Sequence, residues 1–135
     1  GEVLLQTLSP DHEAIKGAAI GDYAAWADAE LAARVELNYP PAGGLIRAIL
    51  ACSDEAKLTD AAAAYADALR AALPQPSEVV GPAPALLRQV RGKFRDHILM
   101  KLPVARVEEG LRIARACPLV SSVKLTLDAD PYDFL

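Results

Sequence analysis

The sequence has few of the residues that usually carry chemistry. Across 135 residues the thiol and imidazole groups are limited to Cys52, Cys117, His12 and His97, and none has metal-type partners at ligand spacing. Two such separated cysteines read as free thiols in a reducing compartment. Neither histidine has a Ser, Cys or carboxylate at a catalytic spacing, so no nucleophile and base pair is expected. Gly43-Gly44 is too short for a phosphate-cradling loop and has no Lys-Ser/Thr after it, which argues against nucleotide hydrolysis by this stretch. There is no apolar run near the ~20 residues needed to cross a bilayer and no charged-then-apolar leader, so a membrane or secretory role is not expected. Aromatics are 5% of the chain while hydrophobic residues, many of them Ala, are 53%, which predicts an aliphatic core with helices packed on small side chains. Asp128, Asp130 and Asp133 form a carboxylate trio, but D-x-D-P-Y-D lacks the other ligands of a calcium loop. A solvated acidic tail and no metal are expected.

What is present divides into an arm and a domain. Glu2 to Leu8 reads as a short buried strand. Ser9-Pro10 then starts a helix, Gly21 breaks it, and Asp22 caps another carrying Tyr23, Trp26, Leu31 and Val35 up to Tyr39-Pro40-Pro41. Residues 1–38 hold seven acids against Lys16 and Arg34, a net −5, so phosphate contact is not expected there. Residues 39–135 read as one α+β domain. Leu45 to Ala51 is a strand, and Ser53-Asp54-Glu55 opens a helix with Leu58, Ala61, Ala62, Tyr65, Leu69, Ala72 and Leu73 on one face. Glu78 to Gly81 is a short strand and Phe94 to Leu102 a longer one. Pro103 starts a helix burying Val104, Val107, Leu111 and Ala114, and Val123 to Leu127 closes the set. The order βαββαβ predicts a ferredoxin-like two-layer sandwich, an antiparallel sheet with both helices on one face, preceded by a strand and a helical arm.

Charge is segregated within this plan. From Arg88 to Arg106 the chain carries Arg88, Arg91, Lys93, Arg95, Lys101 and Arg106 against Asp96, a local +5 where the whole chain is −4. With Ile98, Met100 and Leu102 turned toward the helices, Arg95, His97 and Lys101 face the other way. Arg47 joins them if Ile46, Ala48 and Leu50 point inward, and Lys124 if Val123 and Leu125 do. Such a surface suits the phosphate backbone, read without sequence preference. Gly92, flanked by Arg88, Arg91 and Lys93, marks the loop best suited to close approach. Sequence-specific RNA readout needs aromatics on the central strands, and only Phe94 is near them. The alternatives are a protein-interaction or regulatory domain without nucleic-acid contact, which the acidic pI of 5.1 suits, and a small-molecule regulatory domain.

The stretch GPAPALLRQVRGKFRDHILMK resembles the C-terminal domain signature of the PriA family, bacterial replication-restart helicases also called primosomal protein N′. GEVLLQTLSPDH, ELNYPP and VKLTLDADP resemble further segments of that family, in the same order. Where family members often carry aromatics this chain has Ala42, Gly43 and Asp96, which removes stacking surfaces. The resemblance implies that residues 1–38 are the tail of the second helicase lobe, and the absence of an initiator Met, with Gly1 leading straight into an apolar run, suggests an excised fragment. The resemblance also implies a cytoplasmic bacterial parent that uses ATP and magnesium to unwind DNA 3′ to 5′ and carries zinc upstream, with no cofactor in this fragment. The fragment's share is to hold branched or single-stranded DNA through Arg88, Arg91, Lys93, Arg95, Lys101, Arg47 and Lys124. Implied partners are other primosome proteins and the acidic tail of single-stranded-DNA-binding protein, met by Arg106 and Arg112.

Overall fold

A computed structural model describes residues 1–131. Two helices come first, α1 (Glu13–Ile20) and α2 (Tyr23–Glu36). Gly21 ends α1 at φ 76°, and the Asp22 carboxylate caps α2 by accepting from the Ala25 N–H at 3.1 Å. These are the break and cap that the sequence predicts. The cap of α1 differs: His12 Nδ1 accepts from the Ala14 N–H at 3.2 Å, and Ser9-Pro10 lies in a turn ahead of it. The expected strand over Glu2 to Leu8 is irregular instead, with Leu4 and Leu8 almost fully exposed. A strand needs a neighbour to satisfy its backbone, and the described residues offer none here.

The remainder runs β1 (Gly44–Cys52), α3 (Glu55–Ala72), β2 (Glu78–Val90), β3 (Lys93–Leu102), a 3₁₀ turn (Val104–Arg106), α4 (Val107–Ala116) and β4 (Lys124–Ala129). The strands form one sheet in the order β2-β3-β1-β4, with every neighbouring pair antiparallel. This is an α+β fold consistent with the ferredoxin-like sandwich, with β1 and β3 at the centre. Because side chains alternate along a strand, Ile46, Ala48 and Leu50 of β1 and Ile98, Met100 and Leu102 of β3 all point to one face. All six are at most 3% exposed and meet Leu58, Ala62, Tyr65 and Leu69 of α3 and Ala114 of α4 in one core.

The helical faces differ slightly from those the periodicity predicts. Ala66 is buried in place of Ala72, and Val104 is 54% exposed in the 3₁₀ turn rather than buried. Tyr65 spans the helical layer, its hydroxyl donating to the Ala114 carbonyl at 2.6 Å. Burial raises its phenol above the ordinary value, so it stays the donor. Gly110 lets α4 approach the sheet closely, since a Cβ there would sit 2.7 Å from Leu102 Cδ1.

The largest departure from the sequence reading is β2, which runs thirteen residues rather than four. It continues through Pro82 and Pro84, tolerated because β2 is an edge strand and proline's missing N–H is confined to such positions. A two-residue turn joins β2 to β3. Arg91 (φ 50°) and Gly92 (φ 75°) are both left-handed, the geometry of a type I′ hairpin. Gly92 thus serves the turn.

Candidate nucleic-acid interface

The face away from the helices is read in rows across β3, β1 and β4. Arg95, Ala51 and Lys124 stand opposite one another, as do His97, Ile49 and Thr126, and then Leu99, Arg47 and Asp128. Neighbouring strands lie about 4.8 Å apart, so Arg95 and Lys124 are roughly 10 Å apart along their row. Lys93 lies beyond that row toward the hairpin turn, and Arg91 lies in the turn itself. The orientations predicted for Arg47, Arg95, Lys101 and Lys124 are therefore those observed.

Orientation and availability separate at this point. Arg47 is only 7% exposed and donates from Nη2 to the Asp128 carboxylate at 3.0 Å. Lys101 pairs with Glu78 at 3.5 Å, and its ammonium lies 4.6 Å from the centre of the Tyr39 ring. Arg88 is ion-paired to Glu55 at the start of α3. Asp128 and Asp130 keep much of their surface in solvent but are also tied to the sheet: Asp128 neutralises Arg47, and Asp130 Oδ1 accepts from the Leu45 N–H at 3.1 Å. Asp133 lies outside the described residues. What remains is Arg91, Lys93, Arg95 and Lys124, none with an ion-pair partner among the described residues. All four lie at the hairpin end of the sheet.

Arg106 and Arg112 are placed apart. Arg106 lies 3.9 Å from Glu109 and reaches the Gln75 carbonyl at 3.5 Å. Arg112 lines a shallow cleft with Arg115, Glu108 and Glu109. Among the described residues no group of three or more His, Cys, Asp or Glu side chains could hold a metal. No helix among them is long and apolar enough to cross a membrane.

His97 sits in the middle of this face. Burial lowers its pKa below the ordinary 6.5, Arg47 lowers it further, and Asp96 opposes weakly. It is therefore neutral at pH 7 and adds no charge. Because the folded state resists protonation, its contribution to stability is complete above pH 6.5 and is lost as the pH falls toward the depressed folded value. Thermal midpoints measured just below pH 6.5 should fall more steeply with acid for the wild type than for His97→Gln; equal slopes would refute this assignment.

Residues 35–132 match the family model described as "Primosomal protein N C-terminal domain". The chain is 35% identical over 135 residues to the replication restart protein PriA of Synechocystis, covering 97% of this chain and 16% of that protein. With the replication restart protein PriA of Treponema pallidum the identity is 38% over 139 residues, covering 100% of this chain and 21% of the relative. A probable replication restart protein PriA of Deinococcus radiodurans is 38% identical over 100 residues, 73% of this chain and 11% of the relative. The chain thus spans about a fifth or less of the length of these relatives. On the family match and this near-complete coverage, the chain belongs to the PriA family of replication-restart proteins, as its C-terminal domain.

Proposed function

We propose that this domain is the DNA-holding accessory module of a PriA-like replication-restart helicase, gripping single-stranded or branched DNA by its phosphates at stalled forks. The observation that carries this reading is the set Arg91, Lys93, Arg95 and Lys124, cations gathered at one end of the sheet without carboxylate partners among the described residues, while Arg47, Arg88 and Lys101 are neutralised. The acidity of the chain lies in residues 1–38, while residues 39–135 are close to neutral, and four cations left without carboxylate partners at one end of the sheet favour an external polyanion.

In this reading residues 1–38 are the tail of the second helicase lobe. The exposed apolar side chains of that arm, among them Leu4, Ile20 and Val35, suit burial against a neighbouring part of the parent. The parent works in the cytoplasm with ATP and magnesium and holds zinc elsewhere. It meets other primosome proteins and the acidic tail of single-stranded-DNA-binding protein, toward which Arg106 and Arg112 contribute, Arg112 with Arg115 beside it.

Fluorescence anisotropy of labelled oligothymidylate across a salt series tests the DNA reading. Four single-strand phosphate contacts predict a log affinity against log salt slope of about −2.8. Absence of binding, or binding indifferent to salt, would overturn it.

A further inference from the structure

Between Pro84, which stands opposite Asp96, and Gln89, opposite Phe94, β2 places Ala85, Leu86, Leu87 and Arg88 where β3 has only Arg95. The strand therefore leaves the ladder in a wide bulge, a device that re-aims side chains. Both ends of the bulge are fixed. Ala85 is buried, and Arg88 is held by Glu55 of α3. Between these anchors Leu86 is 70% and Leu87 54% exposed.

Single exposed leucines are ordinary on protein surfaces. Two adjacent ones on an anchored bulge belong to the same hairpin as Arg91, Lys93 and Arg95, so apolar and cationic side chains are exposed at one end of the sheet. DNA offers both complements together only where its stack is interrupted: base faces are covered along an intact duplex, and one is uncovered beside the phosphates where the strands part. Apolar side chains are known to wedge against such faces. A protein partner covering the leucines would answer Arg91, Lys93 and Arg95 only if it brought dense negative charge of its own, whereas a fork supplies base faces and phosphates together.

Resting on the DNA reading above, we propose that the β2 bulge is a junction wedge. Leu86 and Leu87 cover the terminal base pair of a fork, and Arg91, Lys93 and Arg95 hold the flanking phosphates.

The test uses the 135-residue chain and forked DNA carrying 2-aminopurine at the junction or well inside the duplex. Wild type should raise junction fluorescence and leave the internal probe unchanged. The double variant Leu86→Ala and Leu87→Ala should abolish the rise and weaken fork binding about tenfold, for the apolar carbons removed, with little change on oligothymidylate. Both side chains are exposed, so the variant should keep the wild-type thermal midpoint. If wild type binds DNA with the expected salt slope but the double variant is indistinguishable at the junction, the wedge is wrong and the phosphate-holding reading stands. If wild type binds no DNA, both fall. If the double variant alters only self-association in sedimentation, the bulge is a protein contact and the wedge is overturned.

Discussion

Alanine at Arg91, Lys93, Arg95 and Lys124 together should remove most of the salt dependence of DNA binding. With four phosphate contacts at ~0.7 each, the wild type should lose roughly fiftyfold in affinity between about 50 and 200 mM salt, whereas the fourfold variant should change little. The expectation is sharper for what it separates. Arg88→Ala removes the same unit charge from a nearby position and Lys101→Ala from the opposite end of β3, but Glu55 and Glu78 already answer those charges. Each should move the slope less than Arg91→Ala does. If Arg88→Ala lowers the slope as far as Arg91→Ala, the distinction between neutralised and available cations fails, and so does the site as drawn. Arg91, Lys93 and Lys124 are exposed and Arg95 is half-buried, so circular dichroism should report an unchanged fold.

Leu50→Ala should be the most damaging single truncation in this set, costing about 3 kcal/mol. For a chain of this size that is roughly a 10 °C drop in thermal midpoint. Leu50 is 0% exposed on the central strand β1, between Asp96 of β3 and Leu125 of β4, and its side chain belongs to the core shared with α3 and α4. Leu86→Ala makes the same chemical change on a 70% exposed side chain and should leave the midpoint almost unmoved. A calorimetric scan of the two variants compares them directly. Equal losses would mean that the β2 bulge is packed in solution, which would also remove the surface on which the wedge depends.

The domain plan and the facing of β3 are legible in the sequence because both follow from local periodicity. The alternation in Phe94 to Leu102 suffices to place Arg95 and Lys101 on one face, whereas Leu45 to Ala51 is apolar almost throughout and leaves the facing of Arg47 open until the strands are paired. Periodicity does not tell which of these cations is answered by a carboxylate from another strand. Asp128 meets Arg47 because β4 pairs with β1 in one particular register, and Glu78 meets Lys101 because β2 pairs with β3 in another. The signal is present only in part: Lys124, Thr126 and Asp128 alternate, so a correct register sets Asp128 beside Arg47.

Two other departures share a physical cause. Val3, Leu4, Leu5 and Leu8 give Glu2 to Leu8 the apolar character of a strand, but a strand exists only with a hydrogen-bonding neighbour. Pro82 and Pro84 look like the end of β2, yet at a sheet edge they do not stop it, and the bulge beyond them breaks the alternation that would mark Leu86 and Leu87 as a surface feature. The arm's acidic balance can be counted from the residues alone, while the exposure of its apolar side chains is visible only once its helices are placed.

The two flanks of the sheet are unlike, and that asymmetry limits how copies of this domain can aggregate. β2 carries prolines and an irregular backbone along one rim, whereas β4 is a short regular strand at the other. Fibrillar growth by strand addition requires each subunit to be receptive on both rims, so that every new copy offers a fresh template. Here one rim is blunted, and any such misassembly through the β4 rim should stop at a closed pair instead of propagating into a fibre.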